Sequence, residues 1–205
     1  MAMTVELWED SGPITSGHGT TRIEVDNIGW KNSALSEIYT FADYPITRPL
    51  PPNIYRTSFK KYNYFKIYGT YESAFDMEIR FNGTPVGSGN GSGTASKVKV
   101  FYKWSSTYAV PTTSLLNGTL YDPANPIIMK PLLSTTGPEG TALWTPTLAT
   151  NTTYYTPYLI TQLFVEPSEW DDYGNLNSTL ELEIKFKESK TGLPNYDPEL
   201  VNWEW

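Results

Sequence analysis

Four short segments of this chain alternate apolar and polar residues with a period of two, a pattern that fits a half-buried strand and not a helix. The cleanest is 178–188, where Leu180, Leu182, Ile184 and Phe186 alternate with Glu181, Glu183, Lys185 and Lys187. Segment 97–104 sets Val98, Val100, Tyr102 and Trp104 against Lys97, Lys99 and Lys103, with Phe101 interrupting the polar side. Segment 76–82 sets Met77, Ile79 and Phe81 against Asp76, Glu78 and Arg80, and 21–30 sets Ile23, Val25 and Ile28 against Arg22, Glu24 and Asp26. Segments 62–71 and 158–165 join them on β-branched and aromatic content, with weaker strand signals at 127–133 and 142–148.

Neighbours such as 62–71 and 76–82 lie too close in sequence for a helical crossover, so they are expected to pair as antiparallel hairpins. Seven or eight antiparallel strands in 205 residues predict two packed sheets: an all-β antiparallel sandwich, jelly-roll-like, over residues 21–188. Residues 1–20 are then an extended N-terminal arm and 189–205 a C-terminal tail. Helix is expected only as single turns at 33–39 and 112–116, each too short to carry an amphipathic face.

The connections are long and lack charge runs. Segment 41–55 holds Pro45, Pro49, Pro51 and Pro52, which remove donors and rule out a central strand. Segment 84–96 is a Gly/Ser-rich hairpin tip or lid, and 121–147 carries five further prolines. The tail ends on Trp203, Glu204, Trp205. An exposed Trp forfeits roughly 2 to 3 kcal/mol of transfer free energy, so this end is expected to be covered by the domain itself or by another subunit. Trp203, Trp205, Tyr196, Pro49, Pro51, Pro52 and Tyr55 are the candidate partner-binding residues.

The formal charge is −7 and the pI about 4.8, which argues against a phosphate backbone as main partner. The one basic cluster, Arg56, Lys60, Lys61 and Lys66, is interleaved with Tyr55, Phe59, Tyr62, Tyr64 and Phe65 and reads as half-buried sheet. With no cysteine, neither a disulfide nor a thiolate site is available. The opening residues show no secretory leader, and no apolar run reaches the ~20 residues of a membrane span, so synthesis in the cytoplasm is expected. The five N-x-[ST] triplets at Asn82, Asn90, Asn117, Asn151 and Asn177 read as by-products of composition.

No residue set names a reaction. His18 is the single histidine, sits in a Gly-rich stretch and has no G-x-S-x-G partner, so it reads as a loop residue. The run from Gly87 to Gly93 lacks the Lys-Ser/Thr ending of a phosphate cradle. Glu166, Glu169, Asp171, Asp172, Asn175 and Asn177 offer oxygen donors for Ca²⁺ without EF-hand spacing, and turn chemistry accounts for them as well. Paired carboxylates could serve glycoside hydrolysis, but nothing places two across a cleft. Trp104, Tyr108, Trp144, Tyr154, Tyr155, Tyr158 and Trp170 could stack on sugars, though core or interface burial is favoured for such rings. No cofactor is expected.

The strings Ile23-Glu-Val-Asp-Asn-Ile-Gly-Trp-Lys-Asn, Tyr64-Phe-Lys-Ile-Tyr-Gly-Thr and Tyr158-Leu-Ile-Thr-Gln-Leu resemble small virion structural proteins of tailed bacteriophages, over 23–186. The resemblance implies a non-enzymatic role in the particle, as a capsid cement or decoration protein or as a tail or fibre component. It implies other virion proteins and further copies of the chain as partners, and no catalytic positions. A carbohydrate-binding module for host attachment is the alternative.

Overall fold

The computed structural model describes residues 4–26, 28, 56–68, 77–82, 98–122, 124–129, 132–140, 143–144, 152–165, 181–187 and 200–204. Among these every regular element is a strand and every strand pairing is antiparallel. The largest sheet has the order β2 (His18–Glu24), β1 (Thr4–Thr15), β4 (Lys61–Tyr68), β12 (Tyr158–Val165), β6 (Val98–Ser105), β7 (Thr119–Leu120). Two short strands join it off this path, β11 (Tyr154–Tyr155) on β4 and β3 (Arg56–Thr57) on β12. A four-stranded sheet runs β14 (Leu200–Glu204), β13 (Glu181–Lys187), β5 (Met77–Asn82), β8 (Ile127–Met129), and β9 (Leu132–Leu133) pairs with β10 (Leu143–Trp144).

The all-β expectation holds, but the ends of the chain differ from it. Residues 4–15, expected in an arm, form a strand flanked by β2 and β4, and the expected boundary at residue 20 falls inside β2. The reason is burial: Val5 and Leu7 lie at 3% and 0% exposure, and only a paired strand can take its backbone into that environment. The expected tail also closes onto a sheet, with Leu200–Glu204 antiparallel to β13 and Trp203 opposite Ile184.

The hairpin expected between 62–71 and 76–82 does not form. β4 pairs with β1, β11 and β12, whereas β5 pairs with β13 and β8 in the other sheet. Lys61 to Phe65 are five consecutive buried residues, so β4 must be covered on both faces and sits inside the large sheet. Residues 112–116 contain no helical turn; they form an irregular segment held by the Gln162 side chain of β12. Segments 33–39 and 84–96 lie outside the described residues.

Two local devices shape the β1–β2 hairpin. Ser16 and Gly17 have φ of 53° and 87°, the two positive angles that a tight type I′ turn needs. Register then shifts by one residue between Ser11 and Ile14, and Gly12 takes a φ of 83° there, as in a bulge with glycine at its left-handed position. Across from it, a Cβ on Gly19 would collide with the Ser11 backbone. Gly19→Ala should therefore destabilise the protein by roughly 1 to 3 kcal/mol and Ser16→Gly should change little; urea unfolding of both variants checks the contrast.

Candidate functional site

Side-chain alternation divides β1 into two faces. Val5, Leu7, Glu9 and Ser11 point one way, with Lys61, Asn63, Phe65 and Ile67 of β4 beside them. Glu6, Trp8 and Asp10 point the other way, directly opposite Lys66, Tyr64 and Tyr62. This second face is aromatic. Tyr62, Tyr64, Tyr108, Leu116, Tyr158 and Ile160 form one buried cluster, with Trp8, Phe101 and Tyr155 packed against it. Tyr62 meets Tyr108 and Tyr158 edge-on at centroid distances of 4.8 and 5.8 Å, and Tyr64 meets Tyr158 the same way at 5.8 Å. Such contacts add about 0.5 to 1.5 kcal/mol each beyond area burial.

Asp10 lies in this aromatic cluster with its side chain fully enclosed. The Tyr158 hydroxyl donates its proton to Asp10 Oδ2 at 2.6 Å and accepts from Arg22 Nη2 at 3.3 Å. Arg22 Nε lies 3.1 Å from Asp10 Oδ1, and Nη2 reaches Glu139 Oε2 at 2.9 Å. The Gly19 amide points at Asp10 Oδ2 from 3.4 Å. One guanidinium thus joins a carboxylate of β1 to a carboxylate in the turn after β9, where Gly137 and Gly140 close the backbone with a 3.0 Å bond. Tyr108 fastens a second loop by donating to Gly12 carbonyl at 2.6 Å. Gln162, fully buried, fixes the same loop further on: it accepts from Leu116 N–H at 2.7 Å and donates to Ser114 and Ser58 carbonyls at 3.1 and 2.9 Å.

Burial is the larger influence on Asp10 and pushes its pKa up, against the pull of Tyr158 and Arg22. Arg22 moves upward despite its own burial because Asp10 and Glu139 flank it, so it is a fixed cation. Burial also raises Tyr64, Tyr108 and Tyr158, leaving these phenols neutral donors. At the far end of β1, burial of Glu6 works against its ionisation, but hydrogen bonds from Tyr68, Lys66 and Trp8 at 2.6, 2.9 and 2.9 Å prevail and lower its pKa. Lys66 also stands over the Trp8 and Tyr68 rings at 5.3 and 5.0 Å.

The cluster gathers a carboxylic acid, a cation and phenols, and each group binds another protein group. Its chemistry is that of a latch holding loop to sheet. Of the basic cluster, Lys61 and Lys66 on β4 pair with Glu9 at 2.6 Å and Glu6 at 2.9 Å, and Lys60 donates to the Thr112 and Ser114 hydroxyls. Of the rings considered for sugar stacking, Tyr108, Tyr154 and Tyr158 are buried at 2%, 6% and 0% exposure, while Trp104 and Tyr155 are half-buried. His18 opens β2 instead of lying in a loop, and its Nδ1 sits 2.8 Å from Gly19 carbonyl. Arg22, expected on a solvent face, turns inward to Asp10.

Of the expected partner-binding residues, Trp203 belongs to β14. Tyr196, Trp205, Pro49, Pro51, Pro52 and Tyr55 lie outside the described residues, as do 166–177 and Trp170. Among the described residues no group of three or more His, Asp or Glu side chains could hold a metal ion, and no helix is long and apolar enough to cross a membrane. No protein-family model matches the chain, nor does any curated protein or solved structure.

Arg22→Met leaves Asp10 buried without its cation and should cost on the order of 3 kcal/mol, whereas Tyr158→Phe should cost about 1 to 3 kcal/mol. The pH dependence has a defined sign. With the folded-state pKa of Asp10 above the ordinary value of 3.8, the folded protein holds the extra proton between the two values. This contribution is full below 3.8 and is lost as pH rises through the folded pKa. Glu6, lowered from 4.5, acts oppositely: its contribution is present above 4.5 and lost as pH falls. Asp10→Asn should remove the first slope and retain the second in urea titrations from about pH 3 to about pH 7.

Proposed function

We propose that the protein is a non-enzymatic structural subunit of a virion, and within that class a capsid cement or decoration protein. The observation that supports this most is a large sheet whose central strands β4 and β12 are buried on both faces, with its covering loops fastened from beneath by Gln162, Tyr108 and Arg22. A scaffold of this kind holds loop surfaces rigid without disulfides, which suits a subunit that grips neighbours in a particle made in the host cytoplasm. Ile14, Val110, Leu115 and Ile128 are apolar and 46 to 59% exposed on the hairpin, a covering loop and the edge strand β8, as contact residues would be. Further copies of the chain and a major capsid protein are the partners in this reading, with neither nucleic acid nor membrane.

The finer architecture in this reading is a sandwich, jelly-roll-like, in which the Val5, Leu7, Phe65, Ile67 and Leu159 face of the large sheet packs toward Ile79 and Ile127 of the four-stranded sheet. All seven side chains are at 3% exposure or less. A tail or fibre position remains the alternative within the class. The glycan-binding alternative retains Trp104 and Tyr155 among the described rings.

Mixing the purified protein with heads assembled without it should give saturable co-sedimentation and raise the temperature at which the heads release DNA. Saturable binding to tails or to a glycan array, with none to heads, sinks the cement reading. Deleting 190–205 should abolish head binding and, because Leu200–Glu204 pair with β13, should also lower the unfolding midpoint.

A further inference from the structure

The inner face of the large sheet carries a polar square within its apolar surroundings. Glu9 on β1 stands directly opposite Asn63 on β4. Ser11 follows Glu9 by two residues and Lys61 precedes Asn63 by two, so all four side chains share one face. Their exposures are 2%, 0%, 4% and 5%, and Val5, Leu7, Phe65, Ile67 and Leu159 continue the same face as hydrocarbon.

The hydrogen bonding of this square is unbalanced. Lys61 Nζ donates to Glu9 Oε1 at 2.6 Å, and Asn63 Nδ2 donates to Trp8 carbonyl at 3.3 Å. Among the described residues, Glu9 Oε2, Ser11 Oγ and Asn63 Oδ1 are buried with no hydrogen-bond partner. Lys61 has three N–H donors, and among the described residues Glu9 takes one. A carboxylate oxygen, an amide oxygen and a hydroxyl buried without partners each forfeit their hydration with nothing in return, and native interiors meet such groups with ordered water.

We propose that Glu9, Ser11, Asn63 and Lys61 form an internal water-binding site in the core. The ligand must donate to Glu9 Oε2 and Asn63 Oδ1 and also accept from the Ser11 hydroxyl or the Lys61 ammonium. Water does both. A metal cation would suit the three oxygens but would stand beside the Lys61 ammonium, whose charge already matches Glu9. The occupant is therefore neutral, and it completes the shell of the buried ion pair joining β1 to β4. The site is independent of the virion reading, since it concerns the isolated chain.

A high-resolution crystal structure of the full chain tests this directly. The expected result is a well-ordered solvent peak about 3 Å from at least two of Glu9 Oε2, Asn63 Oδ1 and Ser11 Oγ. A direct Glu9–Asn63 hydrogen bond through a shared proton, with no solvent peak, overturns the proposal, as does anomalous or coordination evidence for a metal. In solution, oxygen-17 relaxation dispersion counts long-lived waters. The Glu9→Met/Lys61→Met double variant, which keeps the side-chain volume, should lose the long-lived signal of this site; an unchanged count overturns the assignment. Should the double variant fail to fold, Ser11→Ala in the same crystal form gives the second reading: the peak should move or weaken, and an unaltered peak would show that the hydroxyl is not part of the site.

Discussion

Glu9 and Asp10 are consecutive residues of β1, point to opposite faces of one sheet, and are both buried. Each carboxylate needs a cation that can follow it out of water. Lys61 from β4 meets Glu9 on one face, and Arg22 from β2 meets Asp10 on the other, aromatic face. The two ion pairs therefore tie β1 to both neighbours from opposite faces, while the hydrophobic pattern sets its register.

That register carries the aromatic face with it. With Asp10 beside Tyr62 and Trp8 beside Tyr64, the ring cluster has a polar floor, and Tyr158 from β12 can donate to Asp10 without leaving the rings. The loop after β6 closes over this face and is held by the Tyr108 hydroxyl and by Gln162. The turn after β9 is held by Arg22 through Glu139. Loops that a sequence rich in Gly, Ser and Pro would leave mobile are thus tied at several points on their inner side.

Period-two alternation made β5, β6 and β13 legible, because it reports which residues share a face, and β-branched and aromatic content did so for β12; all four start within three residues of their expected positions and end within one. What alternation cannot report is which strand lies alongside which. β4 and β5 are near in sequence yet separate into two sheets, since β4 carries consecutive buried residues that call for neighbours on both sides. β1 was missed for a related reason. Its stretch Trp8-Glu9-Asp10-Ser11 reads as polar and exposed unless the cations that neutralise it are known, and those lie 12 and 52 residues away. The latch was invisible for the same cause, with Tyr158 and Asp10 separated by 148 positions. Tyr158 itself stood out as an aromatic residue, but its ring is core and its hydroxyl is the part with a specific partner.

The choice of tyrosine over phenylalanine on this face has a physical logic. A ring buried in a sheet contributes area whether or not it bears a hydroxyl, but a phenol that reaches past the ring layer must find a partner there. Tyr108 finds the Gly12 carbonyl, Tyr158 finds Asp10 and Tyr68 finds Glu6. Each of these bonds joins two elements that the backbone ladder does not join at that point or strengthens a pair that it does. In a chain without cysteine, such hydroxyls serve as cross-links, Tyr108 between loop and sheet and Tyr158 and Tyr68 between strands of one sheet. A loop held from beneath in this way, such as the one that exposes Val110 and Leu115, has already given up conformational entropy in the folded chain, so any partner of its outer side would meet it preorganised.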